Sequence, residues 1–214
     1  MTRGEPAPRR SAAGGFTREE LLAAAGRAVP DLLPDDLRDL RLLFVGINPG
    51  LWTAAAQAHF AHPGNRFFKA LYLAGITPEP LDVRRGFDAI SRGALVGRGI
   101  GITNLVNRAT ARADELAARE LREGARRLTE RIATWRPRVL AVVGIGAYRT
   151  AFGRRHAGIG PQDERWAGAA VWALPNPSGL NAHYPVAELA RLYRGAAEAA
   201  EIELGAAAVL VHGH

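Results

Sequence analysis

The sequence predicts an α/β protein, a three-layer α/β/α sandwich around a mainly parallel central sheet. Apolar runs at 41–47 and at Ala170–Leu174 break at once into turn residues, the pattern of strands buried on both faces of a parallel sheet. Helical periodicity separates such runs along the chain, and parallel strands need crossovers of that kind. There is no internal repeat and no second composition regime, so residues 16–214 are expected to form a single domain.

Residues 1–15 are rich in Pro, Gly, Ala and Arg and read as a disordered basic arm. Thr17 and Glu20 have capping-box spacing and open a helix, Phe16 is placed to staple against Leu21, and Pro30 stops it. Asp31–Asp39 is a polar connector into the strand at 41–47. Leu51 to Pro63 reads as a long loop carrying Trp52, Thr53, His59, Phe60 and His62. The next helix runs from about Gly64 to Ala74, with Phe67, Phe68, Leu71 and Tyr72 on its apolar side and Gly75 as its C-terminal cap. Residues 77–97 combine turn residues with a short amphipathic piece. Gly99–Leu105 reads as a short strand running into Asn104 and Asn107.

Asp114 to Trp135 is the clearest helix, because Leu121, Ala125, Leu128, Ile132 and Trp135 recur at steps of four and three. Its arginines alternate with Glu115, Glu120, Glu123 and Glu130, which reads as a solvated, salt-bridged face rather than a DNA-groove surface. Pro137 ends it, and Arg138–Gly144 is another buried strand. A short helix near Ala147–Phe152 and a Gly-rich excursion through Gly168 lead to the strand at Ala170–Leu174. A last helix covers about Val186 to Glu203.

Composition narrows the function. No apolar run approaches the roughly 20 residues of a membrane span, and the N-terminus lacks the apolar core of a signal peptide, so a cytoplasmic protein without membrane partners is expected. With no cysteine, disulfides, thiol catalysis, thiolate zinc sites and iron–sulfur clusters are excluded. A net charge of +7 favours a polyanionic partner, although the cation is almost all arginine, with Lys69 the sole lysine.

Two strands end in the same way. Val45 is followed by Gly46-Ile-Asn-Pro-Gly50, and Leu174 by Pro-Asn-Pro-Ser-Gly-Leu180. Each holds an amide at the carboxyl end of a buried strand, where open α/β sheets place their ligands, so the two loops are expected to converge on one site. Gly144-Ile-Gly-Ala-Tyr-Arg149 begins like a dinucleotide fingerprint but has Arg149 where the third glycine belongs, which argues against a cofactor of that kind. Ser178 is not in a nucleophile elbow. His59 and His62 lie three apart beside Pro63 with no carboxylate near, and no metal site is expected. Phe60, an aromatic in a polar loop, is a candidate for stacking on a flat ligand.

Gly46-Ile-Asn-Pro-Gly50, Phe60-Ala-His-Pro-Gly-Asn-Arg-Phe67, Gly101-Ile-Thr-Asn-Leu105 and Asn176-Pro-Ser-Gly-Leu180 together resemble the mismatch-specific uracil/thymine DNA glycosylases in identity, order and spacing, over about residues 40–203. The resemblance implies a monofunctional base-excision-repair enzyme. It would hydrolyse the N-glycosidic bond of uracil, or thymine, opposite guanine in duplex DNA, as a monomer without a cofactor. It implies that Asn48 holds the attacking water, that Phe60 stacks on the flipped base, and that backbone around Ile47 and Phe60 contacts its edge. Thr53 and Asn104 would line the base pocket. The segment Asn176, Ser178, Gly179, Leu180 and Asn181 would enter the duplex, with Leu180 as the wedge. The chain departs from that family in having Asn104 where lysine is common, Asn181-Ala182-His183 where a basic residue is usual, and Trp52-Thr53 in place of a small Ser-rich loop. Thr53 near C5 of the base would penalise thymine relative to uracil. Localisation would follow the DNA, at the nucleoid. A non-catalytic DNA-damage-binding domain and a nucleoside or nucleotide hydrolase are the alternative readings.

Overall fold

The structure, a computed structural model, describes residues 15–179, 181 and 183–207. The expected N-terminal arm, apart from Gly15, and the expected wedge Leu180 lie outside these residues. Among the described residues five strands form one sheet: Leu42–Gly46 (β1), Ile100–Asn104 (β2), Val139–Val143 (β3), Gly160–Trp166 (β4) and Ala169–Leu174 (β5). The helices are Arg18–Ala23 (α1), Leu51–Ala56 (α2), Phe67–Leu73 (α3), Ala89–Val96 (α4), Ala118–Trp135 (α5), Ile145–Phe152 (α6) and Val186–Ala199 (α7).

The spatial order is β2-β1-β3-β5-β4, parallel except for β4, which pairs antiparallel with β5 at the edge. Alternation along the strands divides the core into two layers. Leu42 and Phe44 of β1, with Val139 and Ala141 of β3, pack in one cluster with Phe67 and Leu71 of α3 and Leu189 and Tyr193 of α7. Leu43, Val45, Leu140 and Val142 face the opposite layer and pack with Leu121, Leu128 and Ile132 of α5 and Tyr148 of α6. This is the expected α/β/α sandwich. The salt-bridged reading of α5 also holds, since Arg126 pairs with Glu123 at 2.8 Å and with Glu130 at 2.5 Å.

Three elements depart from the sequence reading. The first helix, expected to run until Pro30, ends at Ala23, and the chain from Gly26 to Leu32 pairs with 102–109 instead. The stretch expected as one loop from Leu51 to Pro63 begins with α2, whose cap Gly50 supplies no side-chain bond. The Gly-rich excursion contains β4, a half-exposed edge strand in which Pro161 is tolerated because an edge leaves some N–H positions unpaired. Smaller shifts are that α5 starts at Ala118, after a 3-10 turn at Ala113–Glu115, and that α7 ends at Ala199.

Because four strands run parallel, the loops leaving β1, β2, β3 and β5 emerge on one rim. The chain leaves β1 for β2 on one side and returns across it to β3 on the other. The crevice between the ends of β1 and β3 is therefore a topological switch point, where open α/β sheets take their ligands.

Candidate active site

A cleft of about 650 Å³ opens at that switch point. Ile47 and Asn48 after β1, Asn104 at the end of β2, Val143 at the end of β3 and Asn176, Ser178 and Gly179 after β5 all line it, together with Thr53 and Phe60. Of the sequence-predicted site residues among those described, all but Asn181 thus line one cleft. Asn181 does not line the cleft and instead holds its loop, its Nδ2 donating to the Asn176 carbonyl at 2.9 Å.

Glycines make the convergence possible. A Cβ on Gly46 would lie 2.5 Å from Asn104 Oδ1 and 3.3 Å from the Phe60 ring, so only glycine lets both side chains lean over the end of β1. A Cβ on Gly179 would lie 2.6 Å from the Gly64 carbonyl oxygen, where the loop after β5 abuts the loop before α3.

Asn48 is held by its amide nitrogen. Nδ2 donates to the Arg108 carbonyl at 3.0 Å, to the Pro49 carbonyl at 3.1 Å and to Thr110 Oγ1 at 2.7 Å. The carbonyls can only accept, and the Thr110 hydroxyl gives its own proton to the Arg112 carbonyl, so the amide orientation is fixed by chemistry. Oδ1 is the group left to accept a hydrogen bond in the cleft, and none of the described residues supplies one.

Asn104 is set in a comparable way. His59 is 2 % exposed, and its Nε2 faces the Pro30 carbonyl at 2.9 Å, so that nitrogen carries the proton. Nδ1 is then an acceptor, and Asn104 Nδ2 donates to it at 3.3 Å, which leaves Asn104 Oδ1 turned toward Gly46 and Phe60. Burial pushes the His59 pKa below its ordinary value, against the smaller opposing effects of the Pro30 hydrogen bond and the Asp31 charge. The folded ring therefore stays neutral where an unfolded one, near 6.5, would be charged. Its stabilising contribution is complete above that pH and is lost as pH falls toward the depressed folded value. Wild type should accordingly lose more melting temperature between pH 7.5 and 5.5 than His59→Gln does. Equal losses in thermal scans would contradict a neutral buried ring.

Phe60 is not the isolated loop aromatic the sequence implied. Its ring stacks on Phe67, centroids 4.0 Å apart and 16° between planes, and Phe67 is fully buried in the core. Its backbone has φ 56°, a conformation that bulky residues rarely adopt. Such strain persists where the surroundings hold it, and here it presents an aromatic ring to the cleft while anchoring it to the core.

Arg66 went unassigned in the sequence and organises one whole side of the site. Its backbone N–H donates to the Pro177 carbonyl at 3.0 Å. Its guanidinium donates to the carbonyls of Ser178 at 2.8 Å, Asn181 at 2.7 Å and Tyr184 at 2.7 Å, and more weakly to Pro177 at 3.4 Å. One side chain thus fixes both flanks of position 180. Backbone acceptors carry no sequence signature, and only the adjacency of Arg66 to the cleft motif pointed to it.

Among the described residues the cleft wall contains no Asp, Glu, Lys or Arg. No group of three or more His, Cys, Asp or Glu among them is arranged to hold a metal ion. The fold is an α/β/α sandwich whose switch point holds a cleft lined, among the described residues, by amides and an aromatic ring and by no Asp, Glu, Lys or Arg. The model of the uracil DNA glycosylase superfamily matches residues 34–195, and the chain belongs to that superfamily. Its members are hydrolases of DNA repair that act on DNA, and uracil DNA glycosylase activity is what membership assigns in general terms.

Proposed function

We propose that this chain is a monofunctional, mismatch-specific glycosylase that removes uracil, and more slowly thymine, paired with guanine in duplex DNA. The observation that carries the reading is the fixed Asn48 amide, its Oδ1 open to the same uncharged cleft as Phe60 and Asn104.

The extruded base stacks on Phe60, and Asn104 Oδ1 accepts the N3–H that uracil and thymine carry. The bond between the base nitrogen and C1′ breaks with its electron pair going to the base, which leaves as an anion. The sugar takes on oxocarbenium character, and a water held by Asn48 Oδ1 adds its oxygen to C1′. An amide is no useful proton acceptor near neutral pH, so Asn48 orients the water and the proton passes to solvent. The rate then rests on how well the leaving anion is stabilised in a water-poor cleft. Uracil is the better leaving group for such a site. The bulk of Thr53, 7 % exposed on the cleft wall, works against a C5 methyl. Among the described residues no lysine stands on that wall to capture the sugar, and the reaction ends at the abasic site.

Flipping costs a few kcal/mol and least at a mispair, which favours G·U and G·T over normal pairs. The loop carrying Asn176, Ser178 and Gly179 enters the vacated step, with Leu180 as the apolar wedge its place in the sequence implies.

The test is a set of duplexes carrying one G·U, G·T or A·U pair, with single-stranded uracil DNA and free deoxyuridine alongside, at two salt concentrations. Fastest release of uracil from G·U, slower release of thymine from G·T, inert deoxyuridine and duplex binding that weakens steeply with salt are expected. No free base from any duplex would identify a damage-binding domain instead. Cleavage of deoxyuridine at the duplex rate, indifferent to salt, would identify a small-substrate hydrolase.

A further inference from the structure

Residues 26–32 lie upstream of the matched residues 34–195 and run antiparallel to 102–109, bonded to them at successive points. Leu32 and Ile102 exchange backbone hydrogen bonds of 2.9 and 2.8 Å. Asp31 accepts from the Thr103 hydroxyl and from Arg131. The Val29 N–H donates to Asn107 Oδ1 at 2.9 Å, and Asn107 Nδ2 returns a bond to the Val29 carbonyl at 2.8 Å. Gly26 donates to the Ala109 carbonyl at 2.9 Å, and Ala109 donates to the Arg27 carbonyl at 3.1 Å. Beneath these bonds Ala24 and Val29 are packed with Ala54 and Ala109 in a small core of their own.

The next residues of the braced loop are those that hold Asn48. Arg108, between Asn107 and Ala109, offers the carbonyl that binds Asn48 Nδ2, and Thr110 offers the hydroxyl. Farther up, α1 leans on the cleft, where Leu21 forms part of the wall and Phe16 packs edge-on against Trp52 at 5.1 Å.

We propose that Asn107 is a positioning residue: by clamping Val29 on both its donor and its acceptor it uses residues 26–32 as a brace that holds the 107–110 loop, and so Asn48, in register for attack. This rests on the water-holding role of Asn48. A small displacement of a positioned reactant is enough to cost about 10- to 100-fold in rate. The bonds are directional and close a ring, so their loss moves the loop without touching substrate.

A double-mutant cycle on the full chain tests it, with single-turnover release of uracil from a G·U duplex, the dissociation constant of that duplex, and a melting curve for each protein. Asn107→Ala should slow release about 10-fold with duplex affinity little changed, and should cost nothing further when added to Asn48→Ala. If Asn107→Ala does not fold, Asn107→Ser, which keeps a short hydrogen-bonding side chain, takes its place in the cycle. Equal losses in both backgrounds, or no loss in either, would overturn the proposal while leaving the function intact. Undiminished release by Asn48→Ala alone would overturn the function, and the brace with it.

Discussion

Replacing Asn48 by Ala is expected to slow uracil release from a G·U duplex by about 10²- to 10³-fold in single turnover, the range seen when a group that positions a reacting proton or water is removed. Binding of the duplex should change little. The physical reason lies in the amide's anchoring. Arg108, Pro49 and Thr110 spend the donor side of Asn48, so its acceptor is held without entropy left to lose when water arrives. Alanine removes that acceptor and leaves two carbonyls facing the gap, which water fills in no fixed orientation. A quench-flow time course with a separate binding titration separates the effects. A loss in affinity equal to the loss in rate would show that Asn48 binds the substrate rather than the water.

The second large effect is expected at Arg66. Arg66→Ala removes the guanidinium that joins Pro177, Ser178, Asn181 and Tyr184, and leaves the half-buried carbonyls of Asn181 and Tyr184 without that donor, while Pro177 and Ser178 keep backbone N–H donors. Hydrogen bonds from a charged group contribute about 1.5–3 kcal/mol each at best and are not additive, so a loss of about 2–4 kcal/mol in stability is reasonable. Duplex affinity should fall about tenfold or more, because the loop that enters the DNA must be ordered on binding instead of beforehand. Arg66→Lys keeps the charge but not the planar fork and should recover only part of either quantity. Melting curves and duplex titrations report the two. A variant that melts like wild type and binds like wild type would show that the loop holds its shape without the clamp.

How much of this was legible in the chain follows from the range of the interactions. β1, β5 and α5 were readable because burial on both faces, or on one stripe, leaves a local pattern in 42–46, 169–174 and 118–135. The meeting of the loops that carry Asn48 and Asn176 was readable because parallel strands end on one rim, whereas Phe60 and Asn104 were placed beside them only by the resemblance to the glycosylase family. β4 was hidden by its half-exposed, charged composition and by Pro161. The Phe60 stack was hidden because Phe67 reads only as a core residue of its helix. Arg66 and the 26–32 brace were hidden for a common reason: both act on backbone groups far along the chain, such as Val29 with Asn107, and a backbone acceptor leaves no mark on the residue that supplies it.

The proposed mechanism requires that a single base leave the helix and come to rest on Phe60 within reach of Asn48. The most direct measurement is a crystal structure of Asn48→Ala bound to a duplex with one G·U pair. The uracil should lie in the cleft, its face on the Phe60 ring, its N3–H toward Asn104 Oδ1 and its C1′ beside the space that Asn48 Oδ1 vacates. A uracil still stacked in the duplex, or bound away from the ends of β1 and β2, would contradict this mechanism.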